Sequence, residues 1–204
     1  MRRLVIDTAS RACSVALFDG EQCIAARHEV IGRGHAERLV PMIFELPEHG
    51  LADHISVNVG PGSFTGIRVG ISAAKALGLA WNVACDGYNG LALLAAIARL
   101  QVKDDVAIDV AIHGGHGEYF FQPFGADGIA SRPAQSLLPE DARAVSSAVF
   151  VAGDAAGALI DLRGGGTALD VISDASHWPL IAALPPLPPT AAYVRGPDAK
   201  LPGA

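Results

Sequence analysis

The sequence has little positive charge, few aromatic residues and no long apolar run. Lys and Arg number 15 against 21 Asp and Glu, which gives a formal net charge of −6, and aromatic residues make up 6% of the chain. A protein that holds nucleic acid mainly by itself usually carries a basic surface, so any contact with nucleic acid is expected to be indirect. The longest apolar stretches fall short of the ~18 residues that a membrane-spanning helix needs, so no membrane association is predicted.

Cysteine is also scarce. The 3 cysteines, Cys13, Cys23 and Cys85, follow no CxxC or other metal-binding spacing. An odd, scattered set is typical of a reducing compartment, which predicts buried thiols and a cytoplasmic protein. The charged N-terminal residues lead into a short apolar run that stops at Asp7, so no signal peptide is expected.

What the sequence does contain is enough apolar surface for a substantial core. Apolar residues make up 50% of the 204 residues, which is sufficient for one large domain or two smaller lobes. The hydrophobic periodicity predicts the order β-β-β-α-β-α-β-α for residues 1–102 and a shorter, degraded echo of it for residues 103–204, ending in a loose tail. We therefore predict an α/β protein with two lobes.

The most informative segment is the run GPGSFTGIRVG at residues 60–70. Glycines between a strand and a helix can bind an anion. However, the lysine of a P-loop is missing, because Ile67 follows Gly66, and the GxGxxG spacing is one residue out. The segment therefore does not match either common nucleotide-binding motif.

The same segment opens a helix with an unusual stripe of small residues. Gly66, Gly70, Ala74 and Gly78 recur every four residues and share one face. Three helical glycines cost about 3 kcal/mol relative to alanine, so close packing must offset that cost. The spacing leaves two alternatives open: a partner's helix, or another part of this chain.

A second amphipathic helix is predicted at residues 35–46. Its apolar residues at helical spacing are Leu39, Met42, Ile43 and Leu46. Val40 and Phe44 widen this arc, so the helix should be covered on two sides. One cover is the parent sheet, and a partner is a candidate for the other.

Few residues point to catalysis. Asp7, Thr8 and Ser10 follow the first strand, where a hydroxyl-rich loop can cradle a phosphate; the alternative is a turn that satisfies its own backbone. His113, His116 and Glu118 have metal-binding side chains, but a Gly-rich turn holds them poorly. No G-x-S-x-G elbow is present, and Cys85 has no base beside it in sequence.

Several motifs together resemble the TsaB (YeaZ) family. They are IDTA at residues 6–9, CSVAL at 13–17, HAERLVP at 35–41, GPGSFTGIRVG at 60–70 and YVRGPDAK at 193–200. They span most of the chain, although residues 1–100 carry most of the resemblance. Their order and number make a chance match implausible.

The resemblance implies an actin-like ATPase fold (ribonuclease H-like, as in sugar kinases, Hsp70 and actin) with two lobes, the second shortened. It also implies a scaffold role in forming N6-threonylcarbamoyladenosine at position thirty-seven of tRNA. In that family the partner subunit TsaD performs the chemistry, TsaE is an ATPase, and tRNA is contacted only indirectly. No cofactor is expected within this chain, although a nucleotide at the joint with TsaD is compatible with the resemblance.

The resemblance further implies that the two helices at residues 35–46 and 65–80 bind TsaD or a second copy of the chain. The predicted interface residues are His35, Leu39, Met42, Ile43, Gly66, Arg68, Gly70, Ile71, Ala74, Lys75 and Gly78. Asp7, Thr8 and Ser10 are predicted as the remnant of a phosphate loop. TsaD carries a paired-His metal motif, whereas this chain keeps His35 and has Leu39 at the second position, so neither a metal site nor a catalytic residue is predicted.

The second lobe departs from the family pattern. Many members have DARxGEVY, whereas residues 112–119 here read IHGGHGEY, without the arginine. Two alternatives stay open beside the scaffold role. One is an enzyme acting alone, such as a glycoprotease-like peptidase or another actin-fold enzyme, and the other is a homodimer that is itself the functional form.

Overall fold

The structure is a computed structural model that describes residues 1–102 and 105–194. The first lobe contains β1 (Arg2–Asp7), β2 (Ala12–Asp19), β3 (Gln22–Val30), α1 (His35–Phe44), β4 (His54–Asn58), α2 (Phe64–Trp81), β5 (Ala84–Tyr88) and α3 (Gly90–Val102). Its five strands form one sheet in the order β3-β2-β1-β4-β5. The β1–β2 and β2–β3 pairs are antiparallel, whereas β1–β4 and β4–β5 are parallel.

The second lobe repeats this plan with shorter strands. Its elements are β6 (Ile108–His113), β7 (Tyr119–Phe124), β8 (Gln135–Leu137), α4 (Pro139–Val145), β9 (Phe150–Ala152), α5 (Ala156–Arg163) and β10 (Thr167–Leu169). The sheet order β10-β9-β6-β7-β8 has the same pattern of parallel and antiparallel pairs. Two lobes on one plan confirm the predicted actin-like fold with a shortened second lobe.

The element boundaries differ from the sequence-based ones in a few places. The strands β8 and β10 were not predicted, since each has only 3 residues and so cannot show a clear alternation. Helix α1 ends at Phe44, two residues before the predicted end at residue 46. The predicted tail, residues 196–204, lies outside the described residues.

Helix α3 forms the centre of the molecule. It is apolar on nearly all sides, and residues such as Leu91, Leu93 and Ala98 are fully buried. It belongs to a cluster that also contains Val5 of β1 and Ile108 of β6, so it packs between the two sheets. A helix that is apolar all round must be buried in this way.

After β10 the chain returns to the first lobe. Gly87 of β5 and Leu187 exchange two backbone hydrogen bonds of 2.7 and 2.9 Å, and Ala192 donates its N–H to the Val59 carbonyl at 2.8 Å. The predicted division near residue 102 stays a prediction. None of the helices in the described residues has both the length and the apolarity to cross a membrane.

Candidate functional site

The small-residue stripe of α2 faces the chain's own sheet. A Cβ built on Gly66 would lie 2.0 Å from the Thr8 carbonyl oxygen, and one on Gly78 would lie 2.5 Å from Cys85 Sγ. A Cβ on Gly70 would lie 2.5 Å from Thr8 Oγ1, and Ala74 is fully buried. Of the two alternatives, the structure therefore shows packing within the chain.

This packing corrects the prediction that the stripe contacts a partner. Gly66, Gly70, Ala74 and Gly78 let the α2 backbone approach β1 and β5, so no partner helix can occupy the same space. Ile71, at 8% exposed, belongs to the same first-lobe core cluster.

The predicted interface residues of α1 are also turned inward. Leu39, Met42 and Ile43 are at most 1% exposed and pack with the apolar side chains of the sheet. His35 is buried, and its Nε2 lies 3.2 Å from the Ala12 carbonyl oxygen, to which it can donate a hydrogen bond. These four residues hold α1 on the sheet, because their atoms already contact this chain's core.

A different set of side chains covers the solvent side of α1 and α2. Val40 and Phe44 of α1 are 46% and 56% exposed, and Phe64 and Leu79 of α2 are 57% and 86% exposed. We call this surface the outer face; it also carries the two predicted charged interface residues, Arg68 and Lys75, both of which are exposed.

A groove runs between the two helices on the outer face. It has a volume of about 470 Å³ and is lined mainly by Ala36, Val40, Phe64, Thr65, Ser72 and Ala73. The sequence pattern had pointed to Val40 and Phe44 on α1, and to Leu79 in a mostly polar stripe of α2, but it missed Phe64. The signal that points outward on α1 is the spacing of residues 36, 40 and 44, which repeats every four residues beside the buried stripe.

Asp7, the first of the predicted phosphate-loop residues, lies at the end of β1 and is 1% exposed. Its Oδ1 accepts a bond of 3.1 Å from the Ala9 N–H. Its Oδ2 accepts from Asn58 Nδ2 at 2.8 Å, from the Tyr88 hydroxyl at 3.1 Å, and from the Ser173 hydroxyl. The carboxyl group thus ties β1 to β4, β5 and the returning C-terminal segment.

Burial is the largest influence on the pKa values of Asp7 and Tyr88. It raises the pKa of Asp7, although the four hydrogen bonds favour the charged form and oppose the shift. Burial also raises the pKa of Tyr88, and the nearby Asp7 charge adds to that shift. Each of the two groups is therefore harder to ionise here than in water.

The other two phosphate-loop residues also bond within the chain. The Thr8 hydroxyl donates to the Gly66 carbonyl at 2.7 Å, and Ser10 Oγ accepts from the Ala12 N–H at 3.1 Å. The bonds of Asp7 and Ser10 are those of a turn that satisfies its own backbone, whereas the Thr8 bond ties the turn to α2. Ser10 still lines a cleft of about 200 Å³ between the lobes, together with Arg11, Ser63, His113, Asp154 and Ser173. Nucleotide binding there stays a prediction.

The His113–Glu118 loop is held by hydrogen bonds to side chains of neighbouring segments. Asp154 Oδ1 accepts the His113 backbone N–H at 2.8 Å, and Glu118 accepts from the Ser136 hydroxyl at 2.5 Å. Within residues 1–102 and 105–194, no three His, Cys, Asp or Glu side chains are grouped so that they could hold a metal ion.

The thiols are poor nucleophiles at neutral pH. Burial raises the pKa of Cys13 to about 11 and also raises the pKa of Cys85. The Cys85 thiol donates to the Ala74 carbonyl at 3.2 Å. Since the thiolate is the reactive form, neither thiol is prepared for covalent catalysis.

Comparisons with known proteins find similarity to proteins named for tRNA threonylcarbamoyladenosine formation. The family model described as "TsaD: tRNA N6-adenosine threonylcarbamoyltransferase" matches residues 27–127. The tRNA threonylcarbamoyladenosine biosynthesis protein TsaB of Escherichia coli is 37% identical over 132 residues, which cover 62% of this chain and 56% of that protein. The TsaB protein of Haemophilus influenzae is 38% identical over 124 residues, covering 58% and 51%. The chain thus spans about half the length of the curated relatives it matches.

A solved structure matches over nearly the whole chain. YeaZ from Pseudomonas aeruginosa superposes with a TM-score of 0.79 at 27% identity, covering 94% of this chain and 99% of that one. This match includes the second lobe, where the sequence motifs are weakest.

Proposed function

The chain belongs to the TsaB (YeaZ) family, and from this membership we propose that it is a non-catalytic partner subunit in tRNA threonylcarbamoyladenosine formation. Its proposed partner is a TsaD-type catalytic subunit. A TsaE-type ATPase is the proposed third component, and tRNA is contacted through these partners. The similarity to TsaB proteins supports the pathway, and the outer face supports the mode of action.

The single observation that carries the proposal is the exposed apolar surface of the outer face. Val40, Phe44, Phe64 and Leu79 are each between 46% and 86% exposed, and they lie on two adjacent helices. Val40 and Phe64 line one groove, and exposed apolar side chains grouped in this way on a folded protein are typical of a binding site. Helices α1 and α2 are held rigidly by the buried residues beneath them, so this surface is available without rearrangement.

The proposal that the chain is non-catalytic is supported by the hydrogen bonds that its candidate catalytic side chains make within the chain. Asp7, Thr8 and His35 each bond to this chain's own backbone or side chains. A glycoprotease-like peptidase would need an activated nucleophile, and burial keeps the thiols of Cys13 and Cys85 protonated. The residues present therefore favour a scaffold over an enzyme acting alone.

A homodimer would use the same surface. One outer face cannot bind TsaD and a second copy of the chain at the same time. The homodimer is therefore proposed as a competing state, in which the face is covered when TsaD is absent.

Co-purification with the cognate TsaD, followed by a tRNA modification assay with TsaD and TsaE, tests the proposal. We expect Val40→Asp to abolish both TsaD binding and modification. The matched control is Val145→Asp, since Val145 is 39% exposed at the end of α4 in the second lobe. The proposal fails if the wild-type chain does not bind TsaD, or if Val40→Asp binds and supports modification as the wild type does. Light scattering of the chain without TsaD shows whether it forms a homodimer.

A further inference from the structure

Arg68 is held in a fixed position at the edge of the outer face. Its guanidinium carbon lies 3.8 Å from the centroid of the Phe64 ring and 5.8 Å from that of Tyr193. Its Nε donates a hydrogen bond of 2.8 Å to the Tyr193 hydroxyl. Two aromatic contacts and one hydrogen bond remove most of the freedom of a long side chain that would otherwise move in solvent.

The two terminal nitrogens of Arg68 are left for another acceptor. Among the described residues, neither Nη1 nor Nη2 makes a hydrogen bond or ion pair; Nε alone is engaged, with Tyr193. Helix α2 contains no Asp or Glu, and its other charged residue is Lys75. A planar guanidinium fork matches the two oxygens of a carboxylate, and this geometry makes strong, charge-assisted hydrogen bonds.

Two carboxylates that flank the neighbouring helix, one in β3 and one just after α1, are engaged elsewhere, and α1 itself contains one carboxylate, Glu37. Glu45 accepts hydrogen bonds from Arg27 and Arg38, and Glu29 accepts two from Arg38. The chain as a whole carries a net charge of −6. The outward side of α2 is therefore a small cationic and apolar strip on an acidic protein.

We propose that Arg68, oriented by Phe64 and Tyr193, receives an Asp or Glu side chain from the TsaD-type subunit docked along α2. The inference rests on the proposed function, because it assigns chemistry to the same outer face. A second copy of the chain suits this strip less well: a two-fold contact through α2 would bring Arg68 and Lys75 of both copies onto one surface, where like charges repel. Tyr193 is then a positioning residue that links the C-terminal segment to partner recognition.

The test measures the affinity of full-length variants for the cognate TsaD at low and high salt. We expect Arg68→Gln to weaken binding by about tenfold or more at low salt and to flatten the salt dependence. Arg68→Lys keeps the charge without the fork, so it should retain salt dependence with a lower affinity. Tyr193→Phe keeps the ring and removes only the hydroxyl, and should give a smaller loss in the same direction. Arg132→Gln, an exposed arginine of the second lobe, is the control and should bind as the wild type does.

The outcomes separate this inference from the proposed function. If the wild-type chain does not bind TsaD, both are overturned. If the wild-type chain binds and Arg68→Gln binds equally well, Arg68 does not receive a carboxylate from TsaD, while the partner role stands. If light scattering shows that Arg68→Gln dissociates a homodimer, and the affinity for TsaD is unchanged, then Arg68 contacts a second copy of the chain. The inference is also wrong in that case.

Discussion

The two sides of helix α2 differ in the size of the side chains that they carry. On the inner side, Gly66, Gly70 and Gly78 leave no side chain, so the helix backbone lies directly on the sheet. On the outer side, Phe64 and Leu79 present large apolar groups to solvent. One helix thus carries both a stripe without side chains, which packs on the sheet, and large apolar side chains, which are left accessible on the opposite side.

This contrast also separates two kinds of failure. A change on the inner side should damage the fold, and any loss of binding would follow from that damage. A change on the outer side should damage binding and leave the fold intact. Each of the following experiments tests one side of this distinction.

The largest effect is expected from Gly66→Ala. The new Cβ would lie 2.0 Å from the Thr8 carbonyl oxygen, which is backbone and cannot rotate away. We expect a loss of about 3 kcal/mol in the free energy of unfolding, despite the higher helix propensity of alanine. Urea denaturation measures it. Ser72→Ala on the outer side is the control and should change stability by less than about 0.5 kcal/mol; equal effects would remove the distinction between the two sides.

Gly78→Ala should have a smaller effect, because the obstacle is a side chain. Its Cβ would lie 2.5 Å from Cys85 Sγ and 3.1 Å from the Val83 carbonyl oxygen. We expect a loss of about 1–3 kcal/mol. In the double variant with Cys85→Ala, part of this loss should be recovered, since the sulfur is gone. Additive losses in the thermal or urea unfolding of the two single variants and the double variant would contradict this packing.

On the outer side, Leu79→Asp should weaken TsaD binding by about tenfold or more without destabilising the fold. Leu79 is 86% exposed, so a charge there meets water until a partner covers it. Leu100, which is 51% exposed near the end of α3, supplies the matched Leu→Asp control. Calorimetric titration measures both affinities. A Leu79→Asp chain that unfolds at lower urea than the control would show that this side also serves the fold.

The smallest effect concerns Asp7, which lies beside Thr8 beneath the inner side. Burial raises its folded-state pKa above the ordinary value of 3.8, so the folded chain holds this proton more tightly than the unfolded chain. Its contribution to stability is full below 3.8 and is lost as the pH rises through the raised value. Relative to Asp7→Asn, the wild type should therefore lose unfolding free energy as the pH rises above about 4. A urea series across pH for both chains checks this; a difference that moves in favour of the wild type would contradict it.

The sequence predicted the first lobe well because its elements carry strong local signals. Asp19-Gly20 marks the hairpin between β2 and β3, and helix α1 shows clear apolar periodicity. The second lobe was predicted less completely, since β8 and β10 are too short for their alternation to be recognised. Periodicity predicted the second half as a degraded echo of the first, and the family motifs supplied the name of the fold to which both halves belong.

The candidate site was predicted at the level of the helices and misassigned at the level of side chains. Spacing shows that Gly66, Gly70 and Gly78 share a face, but not what that face meets, because the answer depends on where β1 and β5 lie in space. The same applies to Asp7, whose role depends on Asn58, Tyr88 and Ser173, residues that are 51, 81 and 166 positions away in sequence. Tyr193 over Arg68 is a contact across 125 positions, and no local pattern reports it.

The hydrogen bond between Ser173 and Asp7 bears on how the lobes can move. It joins a residue that follows the second sheet to the end of the first strand, next to the interlobe cleft. If the cleft widened, a buried acid would lose one of its four donors, and the Gly87–Leu187 bridge behind it would come under strain. Opening of the interlobe cleft would therefore cost a hydrogen bond to a buried carboxyl group, which favours the arrangement of the lobes described here.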